Sequence, residues 1–345
     1  MSEKSDKSEI IYLGIDLGTS RSSVSASNGQ RHVIESFVGW PADMVAKKVL
    51  KREVLIGHEA LENRTLLDLY RPLERGLMKE GSEKDTAAVK ALLQELIRHA
   101  GAEQGGEGRR VRAVVGVPAE ALRVNKQQLR SAMRGLVSSL MIVSEPFAVA
   151  YGMEELLHAM IIDIGAGTAD FCVMMGRFPG EEDQRTLDTA GDAIDEQLAK
   201  LVAARYPRAR FSIHMVRRWK EEHGFVGEPK NPVKVSAPID GRPTELDITD
   251  EMRAACESIL PPAIETMIDL LARVEPEFQE KVRHNIVLSG GTALISGLGE
   301  AFEEALAEFG GGNVQVVTDP IFVGSDGGLA IALDAPEEDW EKLPA

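Results

Sequence analysis

The sequence predicts an α/β protein made of a duplicated unit, each copy a mixed sheet flanked by helices. Three observations lead there. One phrase occurs twice, as "IIYLGIDLGTSRSSVSAS" at residues 10–27 and "AMIIDIGAGTADFCVM" at residues 159–174. Each is an apolar run ending in an aspartate, then a glycine-bearing turn and a second run. After each phrase, strand-like and helical periodicities alternate. The chain, at 345 residues, has room for two domains of ordinary size. A repeat this long is not a short-period array.

The elements follow in order. Residues 10–16 read as a strand and "SSVSAS" as its return, with "NGQR" turning into "HVIESFVG". Residues 41–82 read as mixed and loop-like. Residues 83–100 place Val89, Leu92, Leu93, Leu96 and Ile97 at helical spacing. "GAEQGGEGRR" reads as a surface loop, "VRAVVGVPA" as a buried strand and "EALRVNKQQLRSAMRGLVSS" as a helix. "LMIVSEP" reads as a strand closed by Pro146, with "FAVAYGMEELLH" as the helix after it.

The pattern then restarts. "AMIIDIG" and "ADFCVMMGRF" read as paired strands, and "GDAIDEQLAKLVAARY" and "MVRRWKEEHGF" as helices. "PIDGRPTELDIT" carries Asp-Gly at a hairpin turn. "EMRAACESILPPAIETMIDLLARV" reads as helical with a break or kink at Pro261 and Pro262. "NIVLSGGTALISGLGEAFEEAL" reads as strand, glycine turn and helix, and "GGLAIALDA" as the closing helix.

Composition bounds the function. With 43% hydrophobic and 27% charged residues, the chain matches an ordinary globular protein. Its longest apolar runs fall short of the roughly 20 residues a membrane helix needs. The opening "MSEKSDKSE" is charged, so it reads as a short disordered tail rather than a signal or an anchor. Cys172 and Cys256 are the two cysteines, too few for a disulfide framework, which favours the cytoplasm. The net charge of −16 disfavours direct binding of nucleic acid or anionic membranes. A local pocket for ATP with its magnesium ion is not excluded by it.

The two aspartate turns carry the chemistry. Glycine lets backbone N–H groups converge on a phosphate. "DLGTS" offers Gly18, Thr19 and Ser20. "DIGAGT" offers Gly165, Ala166, Gly167 and the hydroxyl of Thr168. Asp16 and Asp163, at strand ends, are placed to hold Mg2+, usually through its waters. Either turn alone is equally an ordinary hairpin with a turn aspartate. Two at equivalent places favour the phosphate reading. No GxxxxGK[ST] occurs, so the site is not of Walker type. In "IVLSGGTALISG", Gly290 and Gly291 would let a base or ribose lie against backbone, or would simply make a tight turn. The histidines show no ligand spacing. Cys172 reads as a small buried residue, and Trp219 as packing.

Asp-Leu-Gly-Thr-Ser, Asp-Ile-Gly-Ala-Gly-Thr and Ser-Gly-Gly-Thr, in this order, resemble the actin-like ATPase superfamily of actins, heat-shock chaperones and sugar kinases. "VSEPFAVAYG" and "TAGDAIDEQL" resemble two of its helices. The resemblance covers the chain from residue 10 to about residue 334. "FPGEEDQRTL" and "GFVG" narrow it to the magnetosome filament actins.

That resemblance implies an actin-like, duplicated ribonuclease H-like fold of two lobes with a nucleotide cleft between them. Lobe I would span 10–150, its inner part 10–32 and 76–150 and its outer part 33–75, closed by a helix in 325–345. Lobe II would span 151–324, its inner part 151–193 and 265–324 and its outer part 194–264. It implies ATP or ADP with Mg2+, with Asp16, Asp163 and Glu145 as the catalytic set. Glu145 matches the glutamate that orients the attacking water. It also suits a helix N-terminus, where the dipole favours a carboxylate. Lys220 and Glu221 match a pair that meets ribose and adenine, or form a solvated helix face. Gly191, Asp192, Gly291, Thr292 and Ile295 complete the implied nucleotide set. Arg21 takes the place of a lysine in some actins and is given no role.

The function so implied is a cytoplasmic ATPase that polymerises with itself and is tied to magnetosome membranes by adaptor proteins. A plasmid-segregating or cell-shape actin is the nearest alternative. A chaperone would need a peptide-binding domain after the final helix, and "PEEDWEKLPA" offers only a short acidic tail. Sugar kinases use an aspartate base and lack "SEPFAVAYG".

Overall fold

The computed structural model describes residues 10–74, 77–78, 83–102, 110–120 and 123–343. The charged N-terminal segment and most of "GAEQGGEGRR" lie outside these residues. The chain divides into two compact units, Met1–Glu155 with Asp319–Ala345, and Leu156–Thr318.

In the first unit, β1 (Ile10–Leu17), β2 (Arg21–Ala26) and β3 (Arg31–Glu35) form an antiparallel meander. Residues 41–82, expected to be loop-like, hold more structure. β4 (Val38–Pro41), α1 (Met44–Leu50), β5 (Leu55–Ile56), α2 (His58–Glu62) and β6 (Leu67–Tyr70) fold together, with β4 between β5 and β6. Phe37, Leu55, Ala60 and Leu67 form their small core. Elements this short leave too few turns to show a period, which is why the sequence did not reveal them. β7 (Leu73–Glu74) and β8 (Leu77–Met78) make a minimal hairpin.

Helix α3 (Glu83–His99) buries Ala88, Val89, Leu92, Leu93, Leu96 and Ile97, the stripe its spacing predicts. β9 (Arg110–Val117) follows, buried along nearly its whole length, as a strand covered on both faces must be. α4 (Arg123–Met133) is shorter than predicted, and β10 (Ser139–Ser144) leads into α5 (Glu145–Gly152). Here the reading needs correction. Glu145 does not end the strand; it begins the helix, and Pro146 occupies the helix's first turn. Proline lacks an N–H that the first turn does not use, so it opens a helix as readily as it closes a strand.

The second unit begins with β11 (Leu157–Ile164), β12 (Ala169–Met175) and β13 (Gln184–Leu187), again antiparallel. Next come α6 (Gly191–Arg205), α7 (Ile213–His223) and the hairpin β14 (Lys234–Ile239) with β15 (Arg242–Asp247). α8 (Thr249–Glu257) and α9 (Leu260–Arg273) are separate helices, with Pro261 and Pro262 starting the second rather than kinking one long helix. α10 (Pro276–Arg283), β16 (Ile286–Ser289), α11 (Leu298–Leu306) and β17 (Val314–Val316) complete it. The chain then returns to the first unit with α12 (Pro320–Asp334) and β18 (Glu341–Lys342).

Among the described residues the main sheets run β18-β10-β9-β1-β2-β3 and β13-β12-β11-β16-β17. In each, the aspartate strand lies between an antiparallel meander on one side and parallel strands on the other. The duplication is therefore one of topology as well as of motif. α12 lies directly on β1: a Cβ at Gly14 would overlap the carbonyl oxygen of Ser325. Backbone approach that close admits only glycine. Among the described residues, no helix is long and apolar enough to cross a membrane.

Candidate functional site

In the first unit, Asp16 stands near the end of β1, in register with Ser23 on β2 and Gly116 on β9. It is half-buried. The carboxylate lies at the start of α12, with Asp16 Oδ2 3.0 Å from where a Cβ on Gly324 would sit. Glu145 reaches the same row from α5, its Cγ 3.3 Å from the corresponding point on Gly116. The missing side chain at Gly116 thus brings two carboxylate residues to one place.

The turn after Asp16 is held by hydroxyls. The carbonyl oxygen of Gly18 accepts from Ser36 Oγ at 2.7 Å, and Ser22 Oγ pairs with Ser36 Oγ at 2.9 Å. Ser36 N donates to the carbonyl of Ser20 at 2.9 Å. Arg71 Nε donates to the carbonyl of Thr19 at 2.9 Å. Thr19 itself is buried.

In the second unit, Asp163 pairs in register with Asp170 on β12 and Ser289 on β16. Residues opposite one another share a face, so two acids stand side by side. Asp170 is buried and its Oδ1 accepts from Thr186 Oγ1 at 2.6 Å. Sequence reading passed over Asp170. The signal was there, because a hairpin closing on "GAGT" pairs Asp163 with Asp170.

Gly165 N donates to the Thr168 carbonyl at 2.9 Å and closes the turn. Gly167 and Thr168 are buried within it, and Ala166 half so. The Gly165 carbonyl accepts from Thr292 Oγ1 at 2.7 Å and from Gly191 N at 3.2 Å. Asp192 N donates to the Ala166 carbonyl at 2.7 Å. The N-terminus of α6 is therefore fastened to the turn. Gly290, at φ +87°, closes the arrangement, since a Cβ there would overlap Ile164 O and Asp163 Oδ1.

Lys220 is neither solvated nor loose. It is buried, its Nζ donating to the Gly191 carbonyl at 2.7 Å and pairing with Asp195 Oδ1 at 2.7 Å. Arg217 bridges Asp195 Oδ2 at 3.0 Å and Asp192 Oδ1 at 2.9 Å. Asp195 and Arg217 were also missed, although "DAID" and "RRWK" each put two like charges three residues apart, on one side of a helix. Glu221 is exposed. Ile295 and Gly224 approach one another beside Cys256, and Ser296 N donates to the Gly224 carbonyl at 3.2 Å. Gly291 has open space where its side chain would be.

Burial pushes the Cys172 thiol up to about 12 and the Cys256 thiol up to about 11, so neither is a nucleophile at neutral pH. Trp219 packs in the core against Phe211. Among the described residues, no three His, Cys, Asp or Glu side chains gather as direct metal ligands.

The chain is similar to known proteins. A family model described as MreB/Mbl protein matches residues 11–336. The actin-like protein MamK of Paramagnetospirillum magneticum is 38% identical over 333 residues, covering 96% of this chain and 95% of that one. A MamK-like protein of the same organism is 34% identical, covering 98% and 99%. Among solved structures, a MamK double helical filament matches with a TM-score of 0.92 at 38% identity, covering 95% of this chain and 100% of that one. A non-polymerising MamK mutant bound to AMPPNP matches with a TM-score of 0.72 at 38% identity, covering 95% and 100%.

Proposed function

The chain belongs to the MreB/Mbl family and has the actin-like fold, and from that premise we propose that it is an ATP-hydrolysing bacterial actin that assembles into filaments. The observation that carries the reading is Glu145 meeting the Asp16–Gly116 row beside a turn held at its Gly18 and Thr19 carbonyls. It is matched in the second unit by Asp163 and the turn fastened to α6.

Each turn holds phosphate oxygens through backbone N–H groups, with the hydroxyls of Thr19, Ser20 and Thr168 as further donors. Gly290, Gly291, Thr292 and Ile295 receive the ribose and base. Lys220 supports that surface by holding Gly191, and Glu221 meets the nucleoside from the end of α7. The residues fit Mg2+ held through water. Asp16 and Asp163 are carboxylates at strand ends, suited to an ion that keeps several waters. When bound, Mg2+ neutralises charge on the β- and γ-phosphates. Glu145 orients the attacking water and takes its proton.

ATP favours assembly and hydrolysis favours release. The filament lies in the cytoplasm and serves magnetosome positioning through adaptors on that membrane. Sedimentation with electron microscopy, read beside phosphate release, tests the reading. The natural chain should form filaments with ATP and Mg2+ and none without nucleotide. Glu145→Ala should still assemble, release phosphate roughly 100-fold more slowly or worse, and leave filaments that persist. Phosphate release at the unaltered rate would remove Glu145 from the chemistry.

A further inference from the structure

One segment takes no part in the nucleotide site: residues 336–343, which follow α12 and belong to the acidic stretch "PEEDWEKLPA". They return to the edge of the first unit's sheet as a strap. β18 pairs antiparallel with β10, through Ser139 with Lys342 and Leu140 with Glu341. Leu343 N donates to the Ser138 carbonyl at 3.1 Å. Just before β18, Glu337–Asp339 form one turn of 3-10 helix rather than strand. Trp340, 5% exposed, packs on Tyr12 with ring centroids 6.2 Å apart and lies 5.4 Å from the Arg112 guanidinium. Arg112 is itself buried and pairs with Glu337 Oε2 at 2.7 Å. Arg130 Nε pairs with Glu341 Oε2 at 2.7 Å. Arg110, two residues before Arg112, and Arg134, one turn beyond Arg130, are exposed. The strap's acids thus sit on arginines of β9 and α4, in a chain whose net charge is −16.

The strap is weakly held at identifiable points. The side chains of Glu337 and Glu341 are 61% and 47% exposed, and ion pairs so exposed contribute little. The Trp340 indole is buried, yet its Nε1 meets no acceptor among the described residues, and an unmet buried donor costs stability. The ladder is 2 residues long. A segment with so short a ladder and so much exposed surface opens locally while the rest stays folded. The edge it covers is also only partly used. Met141, Ile142, Val143 and Ser144 pair with β9 alone among the described residues, and all are half-buried. An uncovered strand edge accepts an extended chain, with backbone bonds giving affinity and side-chain contacts giving specificity.

We propose that residues 336–343 are a displaceable strap over a docking edge, and that the edge takes an extended acidic segment of a partner protein bearing an aromatic residue. The partner's ring replaces Trp340 against Tyr12 and Arg112, and a carboxylate replaces Glu341 on Arg130. Its backbone pairs with β10 beyond Leu140, along Met141 to Ser144. Charge complementarity selects an acidic segment, because the arginines under the strap carry the sign it needs. A second copy's strap would bring the same turn and cover the same two residues of β10, so the unused edge points to a longer strand from another protein. No residue assigned to the nucleotide takes part.

The test uses full-length chains without nucleotide and fluorescein-labelled peptides, read by fluorescence anisotropy. One peptide has the sequence of residues 336–345. The other carries Glu338→Val and Asp339→Thr, strand formers in place of the turn. Trp340→Ala in the protein should raise the affinity for either peptide at least roughly tenfold over the natural chain, because the intact strap competes. Glu337→Lys with Glu341→Lys, which alters exposed side chains alone, should act in the same direction. The strand-forming peptide should bind the more tightly of the two. Adding Arg130→Glu to either variant should weaken binding at least roughly tenfold, and a peptide carrying Glu341→Lys should recover it. If both strap variants bind no better than the natural chain, or if a scrambled peptide binds as well, the docking edge is overturned. A strand-forming peptide no tighter than the other, or strap-exchanged dimers in sedimentation velocity, would overturn the assignment to a partner protein.

Discussion

The two aspartate turns occupy equivalent places in the two sheets, yet they are secured by different chemistry. Across the first sheet the row reads Val33, Ser23, Asp16, Gly116, Val143. Across the second it reads Thr186, Asp170, Asp163, Ser289. Ser23 in the first row is bonded to Ser325 on α12 at 3.0 Å. Its counterpart Asp170 is bonded to Thr186 on the next strand. Hydroxyls and Arg71 hold the first turn. The second is held by the N-terminus of α6, itself backed by the buried Asp195, Lys220 and Arg217 cluster. Duplication preserves where the carboxylate stands; the support beneath each turn was built separately. Disturbing the supports should therefore affect the two units unequally.

The largest difference should come from Asp195→Ala. It strips Lys220 of its counter-ion inside the protein and leaves Arg217 with Asp192 alone. Breaking a buried pair from one side costs roughly 3 to 5 kcal/mol. Thermal unfolding should show that loss, with weaker nucleotide binding beside it. A change within about 0.5 kcal/mol, the size of a neutral surface substitution, would mean that α6 holds the turn without the charge cluster.

Gly290→Ala should come next. Gly290 has a positive φ and faces Ile164 O and Asp163 Oδ1, so the expected loss is roughly 2 to 3 kcal/mol. The matching residue of the first unit, Val117, simply continues β9, and Val117→Ala should cost about 1 kcal/mol. Equal losses for the two, measured by denaturant unfolding, would dissolve this part of the contrast.

What the sequence disclosed follows the same division. The aspartates, their turns and the meanders were legible because they depend on local periodicity and on glycine between apolar runs. The stripe of α3 was legible for the same reason. Glu145 was singled out with both a strand end and a helix start open to it, because Pro146 suits either, and the structure takes the helix start. Lys220 was singled out, yet its burial depends on Asp195, which belongs to another helix and is distant in sequence. The small sheet around β4 was invisible because no strand in it exceeds 4 residues. Supports formed by contact at a distance leave no period to read.

The smallest effect is also the best-matched test of the comparison. Ser36 Oγ and Thr292 Oγ1 each donate to a turn glycine's carbonyl at 2.7 Å, one in each unit. A single such bond contributes about 1 kcal/mol. If the bond were the whole story, Ser36→Ala and Thr292→Val would cost the same. They should not, because their surroundings differ. The Gly165 carbonyl keeps Gly191 N as a second donor when Thr292 is lost. Removing Ser36 instead takes away the buried hydroxyl partner of Ser22, leaving it only a 3.4 Å approach to the Gly18 carbonyl. An under-satisfied buried hydroxyl carries a penalty of its own. Ser36→Ala should therefore be the more destabilising of the two, by roughly 1 kcal/mol, as read from urea midpoints at constant slope. The reverse order would mean that the hydroxyl-held turn is the better secured, and that α6 contributes less to the second turn than its bonds imply.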